Sequence, residues 1–152
     1  MKKKQNKNRY TIRLLNEHYP AEVEDVKLLL SSLTICECED DKLPKPVHNT
    51  TVVPEVYVII DNESSDYVVG CVSVFYEQKI ARGYGVVCHL EDLVVHENHR
   101  GLDIGKKLIE FVIQQAKIHN CYKVVLDCKN DLVRYYEKSG FEATDTHMRL
   151  DI

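Results

Sequence analysis

The run VVCHLEDLVV, Val86–Val95, passes without a spacer into the turn HENHRGLDIG and then into a stretch whose apolar residues recur at helical spacing. A nearly continuous apolar run of this length is a buried strand, and Gly101 and Gly105 mark the turn that ends it. Ile104, Leu108, Ile109, Val112, Ile113 and Ala116 fall in i,i+4 rows, so the following helix carries one apolar stripe and ends near His119 and Asn120. Strand and stripe both have to be buried against other elements. The rest of the chain must therefore complete an α/β sheet around this unit.

The remaining patterns supply one. Residues 10 to 15 alternate as a first strand, and Val23, Val26, Leu29, Leu30 and Leu33 define a helix with Glu22, Glu24 and Asp25 at its electropositive start. Residues 36 to 53, with acids at 39 to 41 and prolines at 44 and 46, form a loop placed to act as a substrate-side flap. Residues 56 to 60 and 67 to 76 form a hairpin across the turn at 61 to 66, and Gly83 and Gly85 turn the chain again before Val86. After the long helix come a short buried strand at 122 to 127, a short helix at 131 to 139 stopped by Gly140, and a closing strand at 141 to 150. The expected fold is a mixed α/β (α+β) sheet with helices on both faces, a single domain over residues 10 to 152 after a basic, flexible start at 1 to 9.

Composition removes several function classes. With 44% hydrophobic and 29% charged residues the chain has the makeup of a soluble globular protein, and it has no apolar run long enough to cross a membrane. The basic start leads into no apolar segment, so a cytoplasmic address is expected. It carries five positive residues in nine, yet no aromatic stacking set goes with them, which argues against nucleic acid as partner. Cys36, Cys38, Cys71, Cys88, Cys121 and Cys128 form no C-x-x-C pair and read as reduced thiols; His96 and His99 lack a third ligand and read as surface residues, so no metal is expected. The net charge of −4 means that an anionic ligand must be met by locally gathered donors, because the overall field repels it.

The turn at Arg100 can gather them. A strand that feeds a helix through glycines aims the first free N–H groups of the helix outward, and Arg100, Lys106 and Lys107 add charge. The glycine spacing excludes a P-loop and a Rossmann dinucleotide loop. RGLDIG at 100 to 105 resembles the R/Q-x-x-G-x-G/A loop of the GCN5-related N-acetyltransferases, whose element order also matches. The ordered set HLEDLVV, RG, GK, CYKVVLDC and YEKSGF is similar to the branch of that family that acetylates glucosamine 6-phosphate.

The resemblance implies acetyl transfer from acetyl-CoA to the sugar amine on the route to UDP-GlcNAc, in a homodimer joined through the C-terminal strands. It implies a diphosphate cradle of Arg100, Gly101, Leu102, Asp103, Ile104, Gly105 and Lys106, and main-chain pairing of the pantetheine with Leu93, Val94 and Val95. Glu91 and Asp92 are neighbours in a strand, and both can serve one cleft only if the strand bulges there, as it does in the family. Asp127 is either a helix cap or the sugar-contacting proton acceptor that the resemblance implies, with Glu91 the other catalytic carboxylate. Tyr136 is either a core aromatic or the donor to departing CoA; its neighbour Tyr135 reads as core. Lys79, Arg82 and Lys123 are either the sugar-phosphate contacts that the resemblance implies or solvated cations, and His89 is either a residue beside the sugar or a structural strand histidine.

Three positions depart from the family pattern. Asp103 stands where glycine is frequent and must turn its carboxylate to solvent. Leu132 replaces an asparagine, leaving Asn130 as its substitute toward the cofactor. Asp151 stands where relatives carry a phosphate-binding arginine, with Arg149 nearby. Another small amine, a protein amine, or a non-catalytic acyl-CoA-binding role stay open as alternatives.

Overall fold

The computed structural model describes residues 9–16, 18–34, 45–46, 49, 51–64 and 67–152. The basic start before Arg9, most of the expected 36 to 53 flap, and Cys36 and Cys38 lie outside the described residues. Five strands, β1 (Tyr10–Leu14), β2 (Glu55–Asp61), β3 (Tyr67–Gln78), β4 (Val86–Val95) and β5 (Cys121–Val125), lie side by side in sequence order. Every pairing is antiparallel except β4 with β5.

Helix α1 (Pro20–Ser31) covers one face and α3 (Ile104–Ile118) the other. Strand alternation sends Val58 and Ile60 toward α1 and Ile59 toward α3, giving two apolar clusters with the sheet between them. Leu108, Ile109 and Val112 on the α3 stripe are fully buried, each contributing roughly 1.5–3 kcal/mol of burial.

Four expectations need correction. The 83 to 85 turn is a four-residue helical turn, α2 (Ala81–Tyr84), with Arg82, Gly83 and Tyr84 at φ of 55°, 63° and 62°; the glycine signal marked a left-handed turn. β5 is a half-exposed edge strand, with Tyr122 41% exposed, because none of the described residues pairs with its outer side. The 131 to 139 helix is a 3₁₀ turn, Asn130–Leu132, followed by α4 (Val133–Glu137). Residues 141 to 150 form no strand: the segment is exposed, with Met148 and Leu150 each 86% accessible, since a strand needs a hydrogen-bonding neighbour and the described residues offer it none.

At the far edge, the fully buried Asp61 ends β2 and accepts from Arg9 Nε at 3.1 Å, Arg9 Nη2 at 2.7 Å and the Glu63 amide at 3.1 Å. The Arg9 guanidinium holds the Asp61 carboxyl below its ordinary value. A depressed carboxyl stabilises the fold above its unfolded value of 3.8, and that contribution is lost as pH falls through the folded one. Replacing Arg9→Ala leaves the buried carboxylate without its main donor and should lower the urea midpoint at neutral pH. The gap between the two proteins should narrow as the solution is acidified below the normal aspartate range.

Candidate active site

β4 carries one residue more than β3 where Cys71 pairs with Val94 but Ser73 pairs with Glu91, and Asp92 takes up the slack at φ 51°. This is a β-bulge. It changes the alternation: Cys88 and Leu90 face α3 before it, Leu93 and Val95 pack on that cluster after it, and Val94 turns to the α1 cluster. The bulge makes Glu91 half-buried and Asp92 exposed.

β5 follows β4 only as far as His89, which pairs with Val125. Beyond that register the two strands part. His96 N donates to Val69 O on β3, so by antiparallel alternation the N–H and C=O of Leu93 and Val95 face the gap rather than β3. Nothing in β5 pairs with them. Arg100 Nε donates to Val95 O at 3.3 Å, tying the following turn to the strand end.

That turn consists of the 3₁₀ segment Glu97–His99, Gly101 at φ 78° and Asp103 at φ 59°, which precedes α3 without a side-chain cap. Leu102 and Asp103 are exposed while Ile104 is buried, so the turn presents main chain outward and anchors itself by one side chain. The Lys107 amide bonds Asp103 O, leaving the amides of Ile104, Gly105 and Lys106 free. Lys106 is exposed and 3.8 Å from Glu110; Lys107 lies over the Tyr10 ring, 5.9 Å from its centroid, and does not add its charge to the cradle. Main-chain donors without helix partners, beside a strand edge that β5 does not pair, suit an extended amide-bearing ligand that ends in a diphosphate.

On the α1 side of the bulge lies a carboxylate cluster. Burial pushes the Glu91 carboxyl above its ordinary value, and the charges of Asp127 and Asp92 push it further, opposed by His89 and His147. Asp127 lies just past β5 and its Oδ2 is 3.0 Å from His147 Nδ1; the 3₁₀ turn that follows has Lys129 at its cap with no side-chain bond, so Asp127 is not a helix cap. His89 stacks on Phe75 at 4.2 Å, with its Nε2 3.0 Å from Glu77, which also binds Lys79. Arg82 and Lys123 meet at one ring, with centroid distances of 5.3 Å and 5.8 Å to Tyr122.

Tyr136 is buried in the α3 cluster against Phe141 and Tyr135, and burial raises its phenol to about 12. Tyr135 is 38% exposed rather than core. Asn130 is exposed, and Arg149 is engaged by Asp151 at 2.6 Å. His96 and His99 are half-buried rather than surface residues, because both rings pack on Tyr67. Among the described residues no group of side chains could hold a metal. The sequence gives a signal for Glu77 only in hindsight, as a strand residue diagonal to His89; His147 has none, since its segment reads as a strand.

The profile of the Acetyltransferase (GNAT) family matches residues 16–141. The chain belongs to that family. This GNAT protein is 33% identical over 107 residues to the Schizosaccharomyces pombe glucosamine 6-phosphate N-acetyltransferase, covering 70% of this chain and 93% of that one. It is 38% identical over 93 residues to the Arabidopsis thaliana enzyme of that name, the match covering 61% of this chain but only 62% of the plant protein. Among solved structures, that Arabidopsis enzyme superimposes with a TM-score of 0.78 at 28% identity over 93% of this chain and 97% of its own. A Trypanosoma brucei acetyltransferase does so with a TM-score of 0.78 at 28% identity, covering 94% and 99%. The GNAT chain is an acyltransferase with the mixed α/β fold expected from the sequence.

The electrostatics of the cluster have a sign that can be measured. Asp127→Asn removes a negative neighbour and should lower the Glu91 titration midpoint, whereas His147→Gln removes a group that opposes the shift and should raise it. Carboxyl ¹³C NMR across the acidic range reads both.

Proposed function

We propose that this chain transfers the acetyl group of acetyl-CoA to the 2-amine of glucosamine 6-phosphate. The observation that carries the reading is the bulge, which puts an open main-chain edge and an acidic cluster on one strand. Its match to enzymes of that name supports the choice of acceptor.

When bound, acetyl-CoA supplies a thioester. Leu93 and Val95 hold the pantetheine by main-chain hydrogen bonds, and the free amides of the α3 turn hold the diphosphate. Gly101 lets backbone approach it, Leu102, Asp103, Ile104 and Gly105 offer main chain only, Arg100 and Lys106 add charge, and Asn130 adds an amide. Acid groups near the amine take the proton it must lose; Asp127 is the acceptor, with His147 on its far side, and Glu91 and Asp92 orient the sugar beside it. An amine with an ordinary pKa near 8 is already partly neutral, so positioning supplies much of the rate. Tyr136 holds its proton at neutral pH and gives it to the departing thiolate. Arg82 and Lys123, with Lys79 and His89, receive the sugar phosphate.

The exposed apolar residues Met148, Leu150 and Ile152 and the open edge of β5 support a homodimer that covers the C-terminal segment. Glucosamine 6-phosphate and acetyl-CoA mixed with the protein should release free thiol with a kcat/KM well above that for the unphosphorylated sugar. No release above the enzyme-free rate, or equal turnover of both sugars, would remove the assignment. Tyr136→Phe should lower kcat by roughly 10²-fold or more while KM changes little, because the proton is delivered only as the thiolate departs; initial rates under chemistry-limited conditions check this.

A further inference from the structure

The phenol of Tyr135 comes over the first turn of α3. A Cβ placed on Gly105 would collide with the Tyr135 hydroxyl and stand 3.4 Å from its Cζ and 3.6 Å from Val95 Cγ2. The hydroxyl thus sits against the helix start, in the space a side chain at residue 105 would take. Tyr136 meets the ring edge-on at 5.1 Å and helps to fix it. Among the described residues the hydroxyl has no hydrogen-bond partner, although the residue is only 38% exposed. Burial and the nearby Asp103 charge raise the phenol above its ordinary value, so it remains a neutral donor.

We propose that Tyr135 is a cofactor-binding residue whose hydroxyl donates to the diphosphate held at the α3 turn, and that Gly105 is glycine because that hydroxyl occupies the space of a side chain. Three facts converge on this. The hydroxyl stands against the first turn of α3, among the described residues no acceptor takes its proton, and the opening it fills exists only without a Cβ. A ring present only for packing would not need to displace the Cβ of the facing helix. The second glycine of the turn then acts on the first helical turn of α3 through a side chain from α4, a contact between residues 30 positions apart. The inference rests on the acetyl-CoA reading above.

The test uses four full-length proteins: wild type, Tyr135→Phe, Gly105→Ala and the double variant. Removing the hydroxyl leaves a 3.4 Å contact at residue 105, which is ordinary packing. Gly105→Ala should therefore lower the melting temperature in the wild-type background and recover most of that loss when Tyr135→Phe is added. Tyr135→Phe alone should fold normally yet raise the calorimetric Kd for CoA roughly tenfold, the loss of one hydrogen bond to a charged group. The penalty should vanish for S-acetylpantetheine, which lacks the diphosphate, in initial-rate comparisons.

Equal CoA affinity of wild type and Tyr135→Phe would overturn the binding role. Equal destabilisation by Gly105→Ala in both backgrounds would overturn the steric pairing. If wild type itself gives no heat with CoA, the acetyl-CoA reading fails instead, and the melting temperatures still decide whether residues 105 and 135 compete for space.

Discussion

Between its pairs Glu91–Ser73 and Val94–Cys71, strand β4 carries one residue more than β3, and the surplus sits at Glu91 and Asp92. A regular strand would pair along both edges and send those two acids to opposite faces. The bulge does neither. It turns β4 away from β5 after His89, so the main-chain groups of Leu93 and the N–H of Val95 are left facing a gap, while Val95 O accepts from Arg100. Unpaired main chain in the middle of a sheet is costly unless something fills it, and an extended amide-bearing ligand is the natural occupant. The anion cradle at the start of α3 lies at the end of that same edge.

The bulge also explains the charge arrangement. A protein with net charge −4 must hold a polyanionic ligand by local donors, and the cradle is built mainly from main-chain amides, with Lys107 turned away to Tyr10. The carboxylates gather on the other side, where a raised Glu91 sits beside Asp127 and Asp92. Such an acidic pocket suits an aminosugar's cationic amine, while Arg82 and Lys123 lie further back along β5. Opposite charges are thus separated along one strand pair, matching a substrate with an amine at one place and a phosphate at another.

Much of this was legible in the residues. Periodicity placed the strands and both long helices to within a few positions, because their apolar faces are long and strongly patterned. The adjacent acids of Glu91 and Asp92 in an apolar strand required a bulge to serve one cleft, and it is there. What escaped depends on partners distant in the chain. The segment after Gly140 alternates like a strand but pairs with none of the described residues, and His147 reaches Asp127 only because that segment lies across it. Tyr135 reads as core because its neighbour Tyr136 is core; its hydroxyl is placed by Gly105, 30 residues away, a contact that no local pattern announces. Lys107 looked like a cradle residue by sequence spacing, but its position on the helix aims it at β1.

Amide hydrogen exchange followed by NMR, with and without acetyl-CoA, reads the open edge most directly. If β4 is completed by the bound pantetheine and the turn by its diphosphate, exchange at Leu93, Val95, Gly105 and Lys106 slows sharply with saturating ligand, while Val94 and His96, already bonded to β3, change little. Unaltered exchange at Leu93 and Val95 in a protein that has bound the ligand would show that the gap beside β4 is not where the thioester arm lies.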